Sequence, residues 1–372
     1  MLSIPRTGDA TPLEAGRAGD HIPKHILNTP RFSVAQRRGI RCSMTERTNP
    51  LAVVILAAGQ GTRMRSALPK PLHAVGGLPL LGHVLVVARG LLPERLVVVV
   101  GEGGEEVRAA ARARAPEAVA VEQPEQRGTG DAVRCALPAL EGFGGRVLVI
   151  YADTPFLRVE TLQALVRAEG AVAVLGFEAA EPGGYGRLIC DAGGALLRIV
   201  EAAEATEAER AVRLCNAGVM AFDIGPGRGW LAGLSDDNAK GEFYLTDLVA
   251  LARADGLPCA AVACTEAETM GVNSRVELAV AEARFQDAAR DAAMLGGATL
   301  VAPETVFFSH DTRLGRDVTV APNVVFGPGV TVEDGVNIGA FCHLEGCTLR
   351  TGAVVGPFAR LRPGAEIAGG AR

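Results

Sequence analysis

From Leu300 onward the chain repeats itself every six residues, and this pattern restricts the fold more tightly than any other feature. Val320, Phe326, Val332, Ile338 and Leu344 recur at that period, with Val318, Val324, Val330 and Val336 two positions earlier. Small or turn-forming residues fill the gaps. A hexapeptide period of this kind predicts a left-handed parallel β-helix, because every sixth side chain stacks inside a triangular prism. The other arrangement to weigh is an antiparallel β domain, whose strands would alternate every second residue and be joined by hairpin turns. The repeat slips by one between Glu345 and Leu349, then resumes through Val355, Leu361 and Ile367.

Upstream the periodicity is different. The apolar runs Val53 to Ala57, Leu96 to Val100, Val147 to Tyr151 and Val172 to Leu175 alternate with helix-like stretches. That alternation predicts an α/β, Rossmann-like domain with a mostly parallel sheet covered on both faces. It is expected over residues 49–273. A linker over 274–300 follows, with a connecting helix from Ser274 to Leu295, and the hexapeptide domain is expected over 301–372. Residues 1–48 contain Arg31, Arg37, Arg38 and Arg41 but no continuous apolar stretch, so they lack the hydrophobic region of a signal peptide. They read as a disordered extension, with Met44 an alternative start ahead of the first strand.

Composition removes several function classes. The net charge is -5 and basic residues form no long block, so the electrostatic footprint of a nucleic-acid binder is missing. No apolar run is long enough to span a bilayer, which argues against membrane insertion. The 8 cysteines include no Cys-x-x-Cys pair, so neither a zinc site nor a disulfide framework is indicated, and reduced thiols in a cytoplasm are the simplest reading.

The chemistry is concentrated in "VVILAAGQGTRMRSALPKPL", residues 53–72. A buried strand runs into Gly59 and Gly61, which let the backbone turn tightly and bring N–H groups toward an anion. The spacing is not G-x-G-x-x-G, since position 64 is Met, and it is not a P-loop. Arg63 and Lys70 instead place two cations beside one loop, an arrangement suited to a triphosphate whose pyrophosphate must leave. Pro69 and Pro71 restrict the backbone on either side of Lys70.

"LAAGQGTRM" with "LPKPLHAVGGLPL" resembles the signature of the sugar-nucleotide nucleotidyltransferases. The short spacing from Arg63 to Lys70 is similar to that of the bifunctional N-acetylglucosamine-1-phosphate uridyltransferase and glucosamine-1-phosphate acetyltransferase family. Further stretches extend the resemblance: "EQPEQRGTGDA" from Glu122, "VLVIYADTP" ending near Asp153, "GYGR" before Leu188, "IVEAAEA" around Glu201, "LCNAGVM" around Asn216, "AKGEFYLTD" before Leu248 and "ETMGVNSR" around Asn273. Ala152 and Ala217 depart from the Gly and Thr that relatives often carry there. The resemblance runs from Leu51 to the last residue.

The resemblance implies a GT-A-like nucleotidyltransferase domain and a Mg²⁺-dependent transfer of UMP from UTP to N-acetylglucosamine-1-phosphate. It assigns Arg63 and Lys70 to catalysis. Leu56, Ala57, Ala58, Gly59, Gly61, Thr62, Lys70, Gln123, Gln126, Gly128, Thr129, Tyr151, Gly186, Glu201, Asn216 and Asn273 are assigned to substrate binding, with Gln123, Gln126, Gly128 and Thr129 at base and ribose and Gly186 at the sugar. Asp153 and Asn273 are the implied metal ligands, Asp153 having a helix N-cap as its duller alternative. "GPFARLRPGA" resembles the start of an acetyl-acceptor site, with Arg362 as a phosphate-binding arginine. Acetyl-CoA is the implied co-substrate of that second reaction, and a homotrimer formed through the repeats is the implied assembly.

His310 and His343 do not match the family segment that carries the acetyl-transfer base. With residues 301–372 giving about four coils at roughly eighteen residues each, the expectation is a chain cut within the β-helix that lacks acetyl transfer and forms a weakened trimer. Two other readings stay open at this point: a related transferase differing in nucleotide or sugar, and a non-catalytic assembly protein that keeps the β-helix.

Overall fold

The computed structural model describes residues 50–238 and 240–372. The expectations for residues 1–48, including the alternative start at Met44, lie outside the described residues.

In chain order the first domain runs β1 (Leu51–Ala57), β2 (Ala74–Val75), β3 (Leu78–Pro79), α1 (Leu80–Gly90), β4 (Arg95–Gly101), α2 (Glu105–Arg114), β5 (Val119–Gln123), α3 (Thr129–Ala136), β6 (Arg146–Tyr151) and α4 (Val159–Arg167). It continues with β7 (Val172–Glu178), β8 (Arg187–Cys190), β9 (Leu196–Val200), α5 (Glu207–Arg210), β10 (Leu214–Asp223), α6 (Ile224–Ala232), α7 (Leu248–Ala254) and β11 (Cys259–Cys264). The long helix α8 (Arg275–Leu295) then leads into the repeats.

The main sheet has the order β11-β7-β10-β6-β1-β4-β5. Only β10 opposes its neighbours on this path, pairing antiparallel with β6 and β7, while β1 runs parallel to both β4 and β6. The continuous apolar runs follow from burial on both faces. Val54, Leu56, Val97, Val99, Val147 and Val149 point to a core closed by α3, α6 and α7. Val53, Ile55, Val98, Val100, Leu148 and Ile150 point to a second core closed by α1, α2 and α4. Because Leu56 and Tyr151 are register partners, the segments leaving β1 and β6 emerge side by side. Open α/β sheets place ligands at such carboxyl ends.

After α8 the strands are two residues long and form three parallel ladders, as the hexapeptide period requires. Val320 pairs with Ile338 and Ile338 with Val355, so each coil stacks an apolar residue on the one below. Val318, Val324, Val330 and Val336 are fully buried. The slip is absorbed at a corner: Gly346 takes φ +53, and Val332 still pairs with Leu349. The cysteines of the described residues are free thiols. Among the described residues no helix is long and apolar enough to cross a membrane.

Helix α8 starts on a Ser274 N-cap that accepts from Glu277 N. It grips the first coil through Gln286, whose amide donates to the Phe308 carbonyl at 2.8 Å and accepts from Phe308 N at 2.7 Å.

Candidate functional site

The glycine-rich loop leaves β1 and makes two 3-10 turns, Thr62–Met64 and Lys70–Leu72. Gly61 brings the two together. Its φ is +61, and a Cβ there would stand 2.6 Å from Lys70 Cβ, so only glycine allows this approach. Lys70 Nζ forms an ion pair with Asp153 and donates to Asn273 Oδ1 at 3.2 Å.

Each partner of Lys70 is itself held. Val272 N donates to the Asp153 carbonyl at 2.9 Å, tying the loop after β6 to the segment before α8. Asn273 N donates to Glu277 Oε2 at 2.6 Å. Asp153 does not cap a helix, because the next one, α4, begins at Val159 with Arg158 at its N-cap. Its carboxylate is left facing the loop.

Leu56, Ala57, Ala58, Gly59, Lys70, Gln123, Gln126, Gly128, Thr129, Tyr151 and Asp153 line one cleft of about 340 Å³. Pro71, Ala132, Ala152 and Glu242 complete its wall. Gln126 donates to the Ala58 carbonyl at 2.6 Å and so joins the glycine loop to the segment after β5. Gln123 is buried, and its amide nitrogen donates to the Gly128 carbonyl at 3.1 Å and to Asp131 Oδ2 at 2.8 Å. With both N–H donors engaged, its amide oxygen is what it can offer a ligand. At Gly128 φ is +108, and a Cβ would meet the Phe243 carbonyl at 2.6 Å.

Tyr151 forms the boundary of the cleft. Burial, assisted by the Asp153 carboxylate and opposed by a hydrogen bond with Thr129, pushes its phenol up to about 12. Its ring backs onto Gly218, where a Cβ would stand 2.9 Å from Cε2. Beyond it lie Gly186, Glu201 and Asn216. Asn216 N donates to the Gly186 carbonyl at 2.8 Å, and its side-chain oxygen accepts from Gly218 N at 2.9 Å across a break in the β10 register. The Glu201 carboxylate is 3.5 Å from where a Gly186 Cβ would be. Burial raises the Glu201 pKa, against the pull of Lys240. The stretch before β8 is tied down by Arg187, which donates to the carbonyls of Pro182, Gly183 and Tyr185.

Arg63 and Thr62 lie on the exposed side of the first 3-10 turn and do not line the cleft. Arg362 is exposed on the last coils and takes no part in it. Sequence reasoning missed Glu242 as a wall residue and Phe243 as the support beneath the loop. Phe243 N donates to the Arg127 carbonyl at 2.7 Å, and the Arg127 and Arg134 guanidiniums lie 4.7 and 4.2 Å from its ring. The motif around Phe243 was visible, but its pairing across more than a hundred residues was not.

This geometry can be set beside known proteins. The family model for the MobA-like NTP transferase domain matches residues 53–216, and that for the bacterial transferase hexapeptide (six repeats) matches residues 311–346. The bifunctional protein GlmU of Jannaschia sp. (strain CCS1) is 52% identical over 325 residues, covering 87% of this chain and 71% of that protein. GlmU of Paracoccus denitrificans (strain Pd 1222) is 55% identical over 326 residues, covering 88% of this chain and 72% of its own length. Among solved structures, the inositol-1-phosphate CTP transferase from T. maritima superposes with a TM-score of 0.51 at 16% identity, covering 63% of this chain and 94% of that one. At that identity the likeness concerns the fold alone. A cleft built on the glycine loop, followed by hexapeptide coils and matched by relatives at this identity, makes the chain a member of the GlmU family, an enzyme whose first domain is a uridylyltransferase forming UDP-N-acetylglucosamine.

Proposed function

We propose that the cleft holds UTP with its base and ribose against Ala58, Gln123, Gln126, Gly128 and Thr129, and its phosphates over the Gly59–Gly61 loop. N-acetylglucosamine-1-phosphate lies toward Gly186, Glu201 and Asn216. The observation that carries this reading is the convergence of Asp153 and Asn273 on Lys70, with Lys70 and Asp153 lining the cleft. The attacking sugar phosphate is already an anion, so no general base is needed, and the task is to neutralise charge and align two reactants that repel each other. Lys70 meets the phosphate charge directly. Arg63, on the exposed turn, closes over the leaving pyrophosphate.

The donor set fits a hard divalent cation. The Asp153 carboxylate and the Asn273 amide oxygen both reach the Lys70 ammonium, so a positive charge is already favoured between them. The described residues contain no cluster of three or more His, Cys, Asp or Glu that could cage a metal. Magnesium is the ion that suits two protein oxygens, filling its other positions with phosphate and water. When bound it supplies charge neutralisation and a template for in-line displacement. Asp153 and Asn273 would hold it.

The hexapeptide coils carry the acceptor end of the family's second reaction. Arg362 offers a contact for the phosphate of glucosamine-1-phosphate there; acetyl-CoA is the co-substrate of that reaction in the family, and the coils associate as a homotrimer weaker than the family's. The protein works in the cytoplasm, supplying the cell envelope. Incubating the purified chain with Mg²⁺, each nucleoside triphosphate and several sugar-1-phosphates tests the nucleotide assignment. UTP with N-acetylglucosamine-1-phosphate should release pyrophosphate fastest; a clear preference for dTTP, ATP, GTP or CTP would overturn it.

A further inference from the structure

Between Met64 and His73 only Pro71 is buried and Leu72 packs against the sheet core, while the stretch from Arg65 to Leu68 has little packing of its own. Arg65, Ser66, Ala67 and Leu68 are exposed, and Arg65 takes φ +47. The two ends are different, with Met64 1% and His73 4% exposed. Lys70 lies within this span, so its place depends on how the ends are anchored.

Both ends meet one side chain. Arg275, on the first turn of α8, donates from Nε to the Met64 carbonyl at 3.2 Å, and its Nη1 lies 3.3 Å from His73 Nδ1. Burial, then the Arg275 charge, lowers the pKa of His73, which suits a neutral ring accepting from the guanidinium. The same helix holds the following hairpin, where Gly76 N donates to Glu282 Oε2 at 2.7 Å. Arg275 does not line the cleft. Its planar fork can serve two acceptors at once, which a lysine ammonium on a flexible stem does poorly.

We propose that Arg275 is a positioning residue for nucleotidyl transfer: it fastens both ends of the Lys70 loop to α8, the helix that also grips the first β-helix coil. This rests on the reading of the cleft given above for its effect on turnover, but the brace itself does not. Arg275 is an exposed residue, so its replacement leaves the cores intact.

The test compares Arg275→Ala and Arg275→Lys in the full chain. Without ligand, amide hydrogen exchange over residues 64–73 should be at least about threefold faster in Arg275→Ala, with the melting temperature within a few degrees of the wild type. In the pyrophosphate assay kcat should fall at least about tenfold while KM for the sugar phosphate stays within about twofold, as expected when a misplaced group costs rate. Arg275→Lys should recover only part of both losses. Unchanged exchange overturns the brace, and faster exchange with kcat within about twofold of wild type overturns its role in the reaction. A wild-type chain inactive with UTP would overturn the nucleotide reading alone, because the exchange measurement needs no substrate.

Discussion

Lys70 and Asp153 are 83 residues apart in sequence and form an ion pair whose side chains are only 14% and 17% exposed. Asn273, 203 residues from Lys70, completes the group. A cation and an anion so withdrawn from water stabilise each other only if the surrounding backbone holds them, and here the Asp153 carbonyl is fixed by Val272 N. The pair therefore links the first strand's loop to the segment that starts α8.

Asp153→Asn and Lys70→Ala should each reduce pyrophosphate release by at least about a hundredfold, the scale of losing one electrostatic contact to the transition state. Combining them should cost less than the product, since both act on the same contact. Circular dichroism should show an intact fold in each. Near-normal turnover of Asp153→Asn at saturating Mg²⁺ would remove Asp153 as the principal ligand.

Gly61→Ala should lower stability by about 1–2 kcal/mol, because a Cβ in the left-handed region clashes with the following carbonyl. The same Cβ would press on Lys70, so turnover should fall by about tenfold or more. Gly229→Ala is the control: it lies in α6, and a Cβ there meets nothing within 4 Å. Urea unfolding and steady-state kinetics on both variants decide the matter, and equal behaviour would show that the approach of Gly61 to Lys70 is not needed.

Tyr151 should leave a signature at alkaline pH. Its phenol is raised, mainly by burial, from 10.0 to about 12, so the folded chain holds this proton more tightly than the unfolded chain. The sign follows: the contribution to stability is complete below the unfolded value and is lost as pH rises through the folded one. Between those two values the urea midpoint of Tyr151→Phe should therefore drop less than that of the wild type. Parallel curves would show that Tyr151 titrates as an ordinary phenol.

Much of the fold was legible in the sequence because its determinants are local. A six-residue apolar period has one efficient way to stack, and the runs around Ile55, Val98 and Ile150 were continuous because both faces of the sheet are covered. The loop chemistry was equally local, since Gly61 and Lys70 lie within one motif. Tertiary structure decided what lay between motifs. It buried Gln123 and engaged its amide nitrogen with Gly128 and Asp131, so that within the cleft lining its amide oxygen is what it can offer a ligand. It left Arg63 on the exposed turn and Arg362 on the coils, outside the cleft that Lys70 enters. It brought Asp153, Asn273 and Arg275 to the same loop, through the pairing of β1 with β6 and the course of α8. The physical reason is that periodicity and turn chemistry act over a few residues, whereas a charge meets its partner only after the sheet order and the helix packing have been set.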